Sequence, residues 1–510
     1  VKANITVTDP DSGINKVVIN VNGFDFPYSY QDAYTTEGHY TIDTADSAIQ
    51  PDENGSYTIT VKSIDNAGNA NIDNQISFSI DKTAPVITSY EFSNADGSAL
   101  ADGDSIGDKI EAGISSYEYY FRQAMTVTVT ADDRKADGQA ASGLQSITAY
   151  VKDYESGQYY AAQADGTLAP VSEDQLQSIV PITTQDNAVS FVVPENFKGQ
   201  LFAFATDQVN NAGSAVSPDG SVVESPEKHE QENHIVMEKD SSDMQDIDGN
   251  ELFADNVNMY IEAIDTYSGL EKVEWEVSAP YDTDNNQSGV ITIDNDGTLQ
   301  GDTQGWGIPD EENATERNLV KKLSSTLAMT NNSNDITVTV RMTDRTGNTS
   351  EQEMHFSIDK TAPEITLDFD NQASDPEYTD YYNAARTATI TVRERNFTSD
   401  DVTYEISNNQ NGIPALSDWS TIGSDDPDQT LHIAQVVFSE DGEYEFHMSV
   451  MDNANNGPAE IDTQKFTIDQ TRPVISVTYD NDNYANGNYY KDARTATIAI
   501  TEHNFDASRV

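Results

Sequence analysis

Three kinds of residue in this sequence could do chemistry: recurring carboxylates, scattered histidines and a few large aromatic rings. The carboxylates recur at fixed places. Asp81, Asp359 and Asp469 each precede a Thr-x-Pro, as in Ile80-Asp81-Lys82-Thr83-Ala84-Pro85, Ile358-Asp359-Lys360-Thr361-Ala362-Pro363 and Ile468-Asp469-Gln470-Thr471-Arg472-Pro473. A second set opens Asp65-Asn66-Ala67-Gly68-Asn69 and Asp344-Arg345-Thr346-Gly347-Asn348, with looser copies at Asp207 to Gly213 and Asp452 to Gly457. Oxygen-only ligand sets suit Ca²⁺, which takes about six to eight of them. Asp and Asn also make turns by bonding their own backbone. On sequence alone both readings stand.

Other chemistry is sparse. The histidines, His39, His229, His234, His355, His432, His447 and His503, lack His-Glu-x-x-His spacing, and no Gly-x-Ser-x-Gly or phosphate-cradling loop occurs. With no cysteine, disulfides, thiolate metal sites and Cys nucleophiles are excluded. Carboxylates at glycosidase spacing could arise by chance, but here they fall in turns and on exposed strand faces. No enzyme is expected. Trp275, Trp306 and Trp419 are the candidate ligand-binding rings, because they lie in features that do not repeat. A lone Trp is more often local core. Tyr119-Tyr120, Tyr381-Tyr382 and Tyr489-Tyr490, with Leu252-Phe253 in the same place, could stack on sugars. Their recurrence at one position favours packing instead.

The elements that position these groups are short strands. Ile5 and Val7, then Val17, Ile19 and Val21, alternate with polar residues; so do Tyr57, Ile59, Val61 and Tyr444, Phe446, Met448, Val450. Alternation bounded by Gly, Asn and Asp means half-buried antiparallel strands. The density of strands predicts an all-β fold: an elongated tandem array of immunoglobulin-like β-sandwich domains. Tyr57 and Tyr444 stand where a tyrosine corner is expected. The repeats divide the chain into 1–81 (first strand missing), 82–225 (with a long insertion after its first strand), 226–359 (insertion 278–330), 360–469 and a fragment, 470–510. The acidic stretch from Glu224 to Asp255 reads as a solvated linker or, through His234-Ile235-Val236-Met237, as a first strand. One helix is predicted at Glu316–Leu327, from Leu319, Leu323 and Leu327, with Asn313 as cap.

In such a sandwich the linker and two loops meet at one end. That gathers Asp81, Asp132, Asp133 and Asp207 at one joint. It gathers Asp359, Glu394, Asn396 and Asp452 at another, and Asp469 with Glu502 at a third. In the first unit Asp9, Asp11, Asp65 and Asn69 would be neighbours. These are the candidate calcium ligands.

The formal charge is −61 at pH 7. It excludes a nucleic-acid partner, which would be repelled, and disfavours docking on anionic lipid. No apolar run approaches membrane-spanning length, so no membrane insertion is expected.

Asp-Lys-Thr-Ala-Pro at unit starts, Asp-Asn-Ala-Gly-Asn near the last hairpin, and Ala385-Arg386-Thr387-Ala388-Thr389-Ile390 with its copy at 493–498 carry a resemblance. The chain resembles the bacterial Ig-like repeats of large surface proteins of Gram-positive bacteria, including Firmicutes. The resemblance covers nearly the whole chain, least at 214–255 and 280–330. It implies an extracellular, cell-surface stalk or adhesin, anchored to the wall by a segment outside this chain. It also implies a monomeric rod whose partners are host glycans or host proteins such as immunoglobulin. Three functions stay open: a spacer without ligand, a binding module centred on the irregular second and third units, and an accessory array beside a catalytic domain elsewhere.

Overall fold

The computed structural model describes residues 1–510 except 31–33, 52–54, 95–116, 136–137, 139–140, 184–185, 214–219, 374, 411 and 482–485. Most of the insertion expected in the second unit therefore lies outside the described residues.

Period-two alternation becomes two-layered packing. In Met125–Asp132 every other side chain is buried, with Met125, Val127, Val129 and Ala131 pointing inward. Residues 364–468 show the layout most fully. One sheet has the order Glu364–Phe369, Arg386–Arg393, Leu431–Phe438, Ser420–Ile422. The facing sheet has Tyr381–Tyr382, Ala459–Ile468, Gly442–Val450, Val402–Asn408. These are the ABED and GFC sheets of an immunoglobulin-like sandwich, with one short extra edge strand. The same order recurs over 234–358. The sandwich over 86–223 differs by showing three strands in its first sheet. Both irregular sandwiches extend their second sheet with short strands, Tyr159–Ala162 and Leu168–Val171 in one, Gln287–Ile293 and Leu299–Gly301 in the other. The fold is all-β, a tandem array of immunoglobulin-like sandwiches. No helix among the described residues is long and apolar enough to cross a membrane.

Each sandwich has its own core. Around Phe438 it holds Tyr444, Phe446 and Phe466. Tyr444 donates its hydroxyl proton to the Glu440 carbonyl at 2.9 Å, which makes the corner. Its ring stacks on Phe466 with centroids 5.5 Å apart. Tyr57 stacks on Phe78 in the same way, at 5.4 Å.

The paired aromatics form the extra edge strand. Tyr117–Phe121, Leu252–Phe253 and Tyr381–Tyr382 each run parallel to the end of the last strand of their sandwich. Tyr119, Tyr120 and Tyr382 are buried and serve packing, whereas Tyr381, Tyr489 and Tyr490 are exposed.

The expected helix at Glu316–Leu327 is absent. Thr315–Glu316, Leu319–Val320 and Lys322–Met329 are strands. A spacing of four residues fits a helical turn, but it also fits two strand periods. Pairing with Val257–Ile264 selects the strand, with Leu323, Leu327 and Met329 inward. The helix that does form is Pro226–Glu232, inside the acidic stretch. Ser225 caps it and Pro226 opens it. His234–Lys239 then forms the first strand of the next sandwich.

Candidate functional site

The recurring Asp and Asn build one device at each joint. In the last hairpin, Asp accepts the backbone N–H of the Asn four residues on with Oδ1 and its side-chain amide with Oδ2. The distances are 2.7 and 2.7 Å for Asp65–Asn69, and 2.7 and 2.7 Å for Asp207–Asn211. They are 2.8 and 3.0 Å for Asp344–Asn348, and 2.8 and 2.8 Å for Asp452–Asn456. The residue before that Asn needs a left-handed backbone. Gly68 (φ 90°) and Gly347 (φ 83°) supply it, while Asn210 (φ 67°) and Asn455 (φ 62°) do so in the looser copies. The Asn amide then reaches the incoming linker. Asn211 donates to the carbonyls of Asp81 and Thr83, Asn348 to that of Glu224, and Asn456 to that of Asp359. Each linker is thus bonded to the last hairpin of the sandwich it enters.

Three carboxylates meet at each such joint: one from the linker, one just after the second strand, and one from the hairpin. They are Asp81, Asp133 and Asp207; Glu224, Asp265 and Asp344; and Asp359, Glu394 and Asp452. At the middle joint the imidazole of His229 sits among them, with Nδ1 3.0 Å from Asp344 and 3.6 Å from Asp265. Burial opposes its charge, but the two aspartates outweigh that and push its pKa up to about 10. Burial and the charges of Asp265 and Asp344 push Glu224 up to about 8. At the next joint Arg395 lies 3.1 Å from Asp359, both buried. Asn396 donates to the other Asp359 oxygen at 2.6 Å. Burial, then the charge of Asp359, pushes Glu394 up to about 8, and burial raises Asp452 to about 6.

The remaining candidates fall into place less fully. Asp132 turns away from its joint onto Arg134, at 2.5 Å, and Asp133 takes the inward position. Period two explains this, because Asp132 is half-buried where Asp133 is buried. Near the end of the chain, Asn504 links Asp469, at 2.8 Å, with Glu502, at 3.1 Å. Asp9 binds the N–H groups of Asp11 and Ser12, and it lies near enough to Asp65 to feel its charge.

Each tryptophan packs against neighbours, Trp306 buried and Trp275 and Trp419 half-buried. Trp306 is 7% exposed within a core, so it presents no ring to a ligand. Trp275 shares the inward face of its strand with Val273 and Val277, opposite Gly289. Trp419 packs edge-on against Phe397 at 4.9 Å.

Sequence reasoning missed Glu224, His229 and Asp265. Val222-Val223-Glu224-Ser225-Pro226 is a shortened linker with Glu in place of Asp, a signal visible only once the position after the last strand is known. It also missed the use of the insertion in the third sandwich. Its Asn318 exchanges two hydrogen bonds with the backbone of Tyr117 in the sandwich before, each 2.9 Å. Lys198, fully buried, meets Glu316 at 2.8 Å. Lys198 and Lys321 hold the Glu316 carboxyl at about 2 in spite of its burial. Tyr117, Tyr120, Val222, Tyr267 and Leu319 form a small apolar cluster there. The insertion is a brace.

Residues 2–82 and 425–470 match the family model of the bacterial Ig-like domain. No curated protein matches the chain. Among solved structures, a tetra-tandem repeat in the extending region of a large adhesion protein is 14% identical, with a TM-score of 0.32 over 92% of this chain and 95% of that one. A bacterial ice-binding adhesin of 1.5 MDa, described for its retention on a host cell surface, is 13% identical, with a TM-score of 0.27 over 70% and 91%. Murine CEACAM1b is 13% identical, with a TM-score of 0.22 over 46% and 100%.

Proposed function

We propose that this chain is a non-catalytic stalk segment of a bacterial surface adhesin, spacing its binding surfaces away from the cell. The observation that carries this reading is the bonded joint. Asn211, Asn348 and Asn456 each tie a linker to the sandwich it enters, so consecutive units are held in sequence rather than left on loose tethers. The accessible surface agrees with it. It is 27903 Å² for 55.9 kDa, where a compact monomer of that mass would have about 18,000 Å². Small-angle scattering is the test. A stalk gives a radius of gyration well above the roughly 24 Å of a compact chain this long. A value near that figure would rule the stalk out.

A second reading, a glycan-binding surface, is supported by one feature. On the outer face of the second sandwich Tyr150 stacks on Phe202 at 4.8 Å and lies 6.1 Å from Phe204. Phe204 is 41% exposed, and Lys152 caps the neighbouring Tyr159 ring at 5.0 Å. Exposed rings beside a cation suit a sugar face. Glycan-array binding that disappears in Tyr150→Ala and Phe204→Ala would support this role. An array with no signal for the wild-type chain would remove it.

A further inference from the structure

The three joints solve one electrostatic problem in different ways. Clustered carboxylates repel one another, and burial makes this worse. At the middle joint His229 stands among them as the counter-charge. At the following joint Arg395 does the same.

The joint of Asp81, Asp133 and Asp207 has no such group. Among the described residues none of the three makes an ion pair with Lys, Arg or His. Arg134 follows Asp133 as Arg395 follows Glu394, but it points outward to Asp132 and the Gly138 carbonyl. Asp207 takes the N–H groups of Val209 and Asn211 on Oδ1 and the Asn211 amide on Oδ2, which leaves Oδ2 a second lone pair. Asp81 takes the N–H groups of Thr83 and Ser142. Asp133 is 6% exposed, and its Oδ2 takes the Gly143 N–H at 2.8 Å. Its Oδ1 is buried with no donor at all. A buried carboxylate oxygen without a partner is costly and needs an explanation. Oxygens of the three carboxylates lie within 4.8 Å of one another.

We propose that Asp81, Asp133 and Asp207 form a divalent-cation site, of the Ca²⁺ class, and that this joint depends on the ion while the next two do not. Three carboxylates supply the hard oxygen ligands Ca²⁺ prefers, and backbone oxygens and water complete its shell. The orphaned Oδ1 is the ligand the protein leaves open. At the other joints the cation belongs to a side chain, so nothing need be recruited. The assignment stands on the geometry of the joint and holds whether or not the array is a stalk.

The test uses the full chain, stripped with chelator and titrated with Ca²⁺ alone by calorimetry at constant ionic strength. One Ca²⁺ per chain should bind at this site and raise the temperature of a melting transition. Asp133→Asn and Asp81→Asn should each weaken that binding by at least about tenfold, the lower bound found even for outer-shell partners of a metal. Glu394→Gln should leave it unchanged. Melting in chelator reports whether each variant folds, and two variants guard against the loss of one. Wild-type binding equal to that of both Asp variants would overturn the site. So would the absence of Ca²⁺ binding by the wild-type chain, and a higher melting temperature for Asp133→Asn would then show that Asp133 carries a proton instead of facing an ion.

Discussion

The Arg395 guanidinium lies 3.1 Å from the Asp359 carboxylate, and neither side chain is reached by solvent. Arg395 also donates to the Ile358 carbonyl at 3.1 Å and to the side-chain oxygen of Asn332 at 3.0 Å. One residue of the fourth sandwich therefore grips both the linker and the loop before the last hairpin of the third. Removing one member of a buried pair leaves the other charge uncompensated. Arg395→Ala should destabilise the chain by about 3–5 kcal/mol. Arg395→Lys should recover only part of that, because an ammonium cannot reproduce the planar fork. Denaturant titration of the two variants checks this. Equal stability of Arg395→Ala and wild type would mean the pair contributes nothing at this joint.

The middle joint should respond to pH. Glu224 is raised from 4.5 to about 8, and His229 from 6.5 to about 10. Both folded values lie above the unfolded ones. The stabilisation from each is fully present below its unfolded value and is lost as pH rises through its folded value. Asp265 and Asp344 face both groups and supply the negative field. Melting temperature should fall between about pH 4.5 and pH 10, Glu224 acting at the acid end and His229 at the alkaline end, and His229→Gln should flatten the alkaline part of the slope. A wild-type profile that is level over this range would contradict the buried, charged imidazole.

Tyr444 tests the sandwich frame. Tyr444→Phe removes the hydrogen bond to the Glu440 carbonyl and should cost about 1 kcal/mol. Tyr444→Ala also empties a site between Phe438 and Phe466 and should cost about 3–5 kcal/mol. Chemical unfolding measures both, and equal losses would show that the ring is not packed.

The brace between the second and third sandwiches can be cut at one residue. Asn318→Ala leaves the Tyr117 N–H without its partner and its carbonyl without the Asn318 amide, both in a buried place. The cost should be about 2 kcal/mol. Hydrogen exchange should show the Tyr117 amide losing protection while the Phe438 core keeps its own. Unchanged protection at Tyr117 would mean the insertion does not dock in solution.

Repetition and period made most of this fold legible in the sequence. Val127 and Val129, or Phe446 and Met448, alternate because a sheet has two faces, and that alone determines strands and sandwiches. The Asp-x-x-Gly-Asn turns were equally legible, since the Asp and Asn bond each other within five residues. What the sequence could not decide was anything carried by contacts between distant residues. Leu323 and Leu327 fit a helix and a strand alike until Val257–Ile264 supplied a partner, as Thr315–Glu316 did for Leu319. His229 and Arg395 act as counter-charges only because they lie beside carboxylates brought from far along the chain. Charge compensation depends on distance in space, and only the tertiary structure fixes that distance.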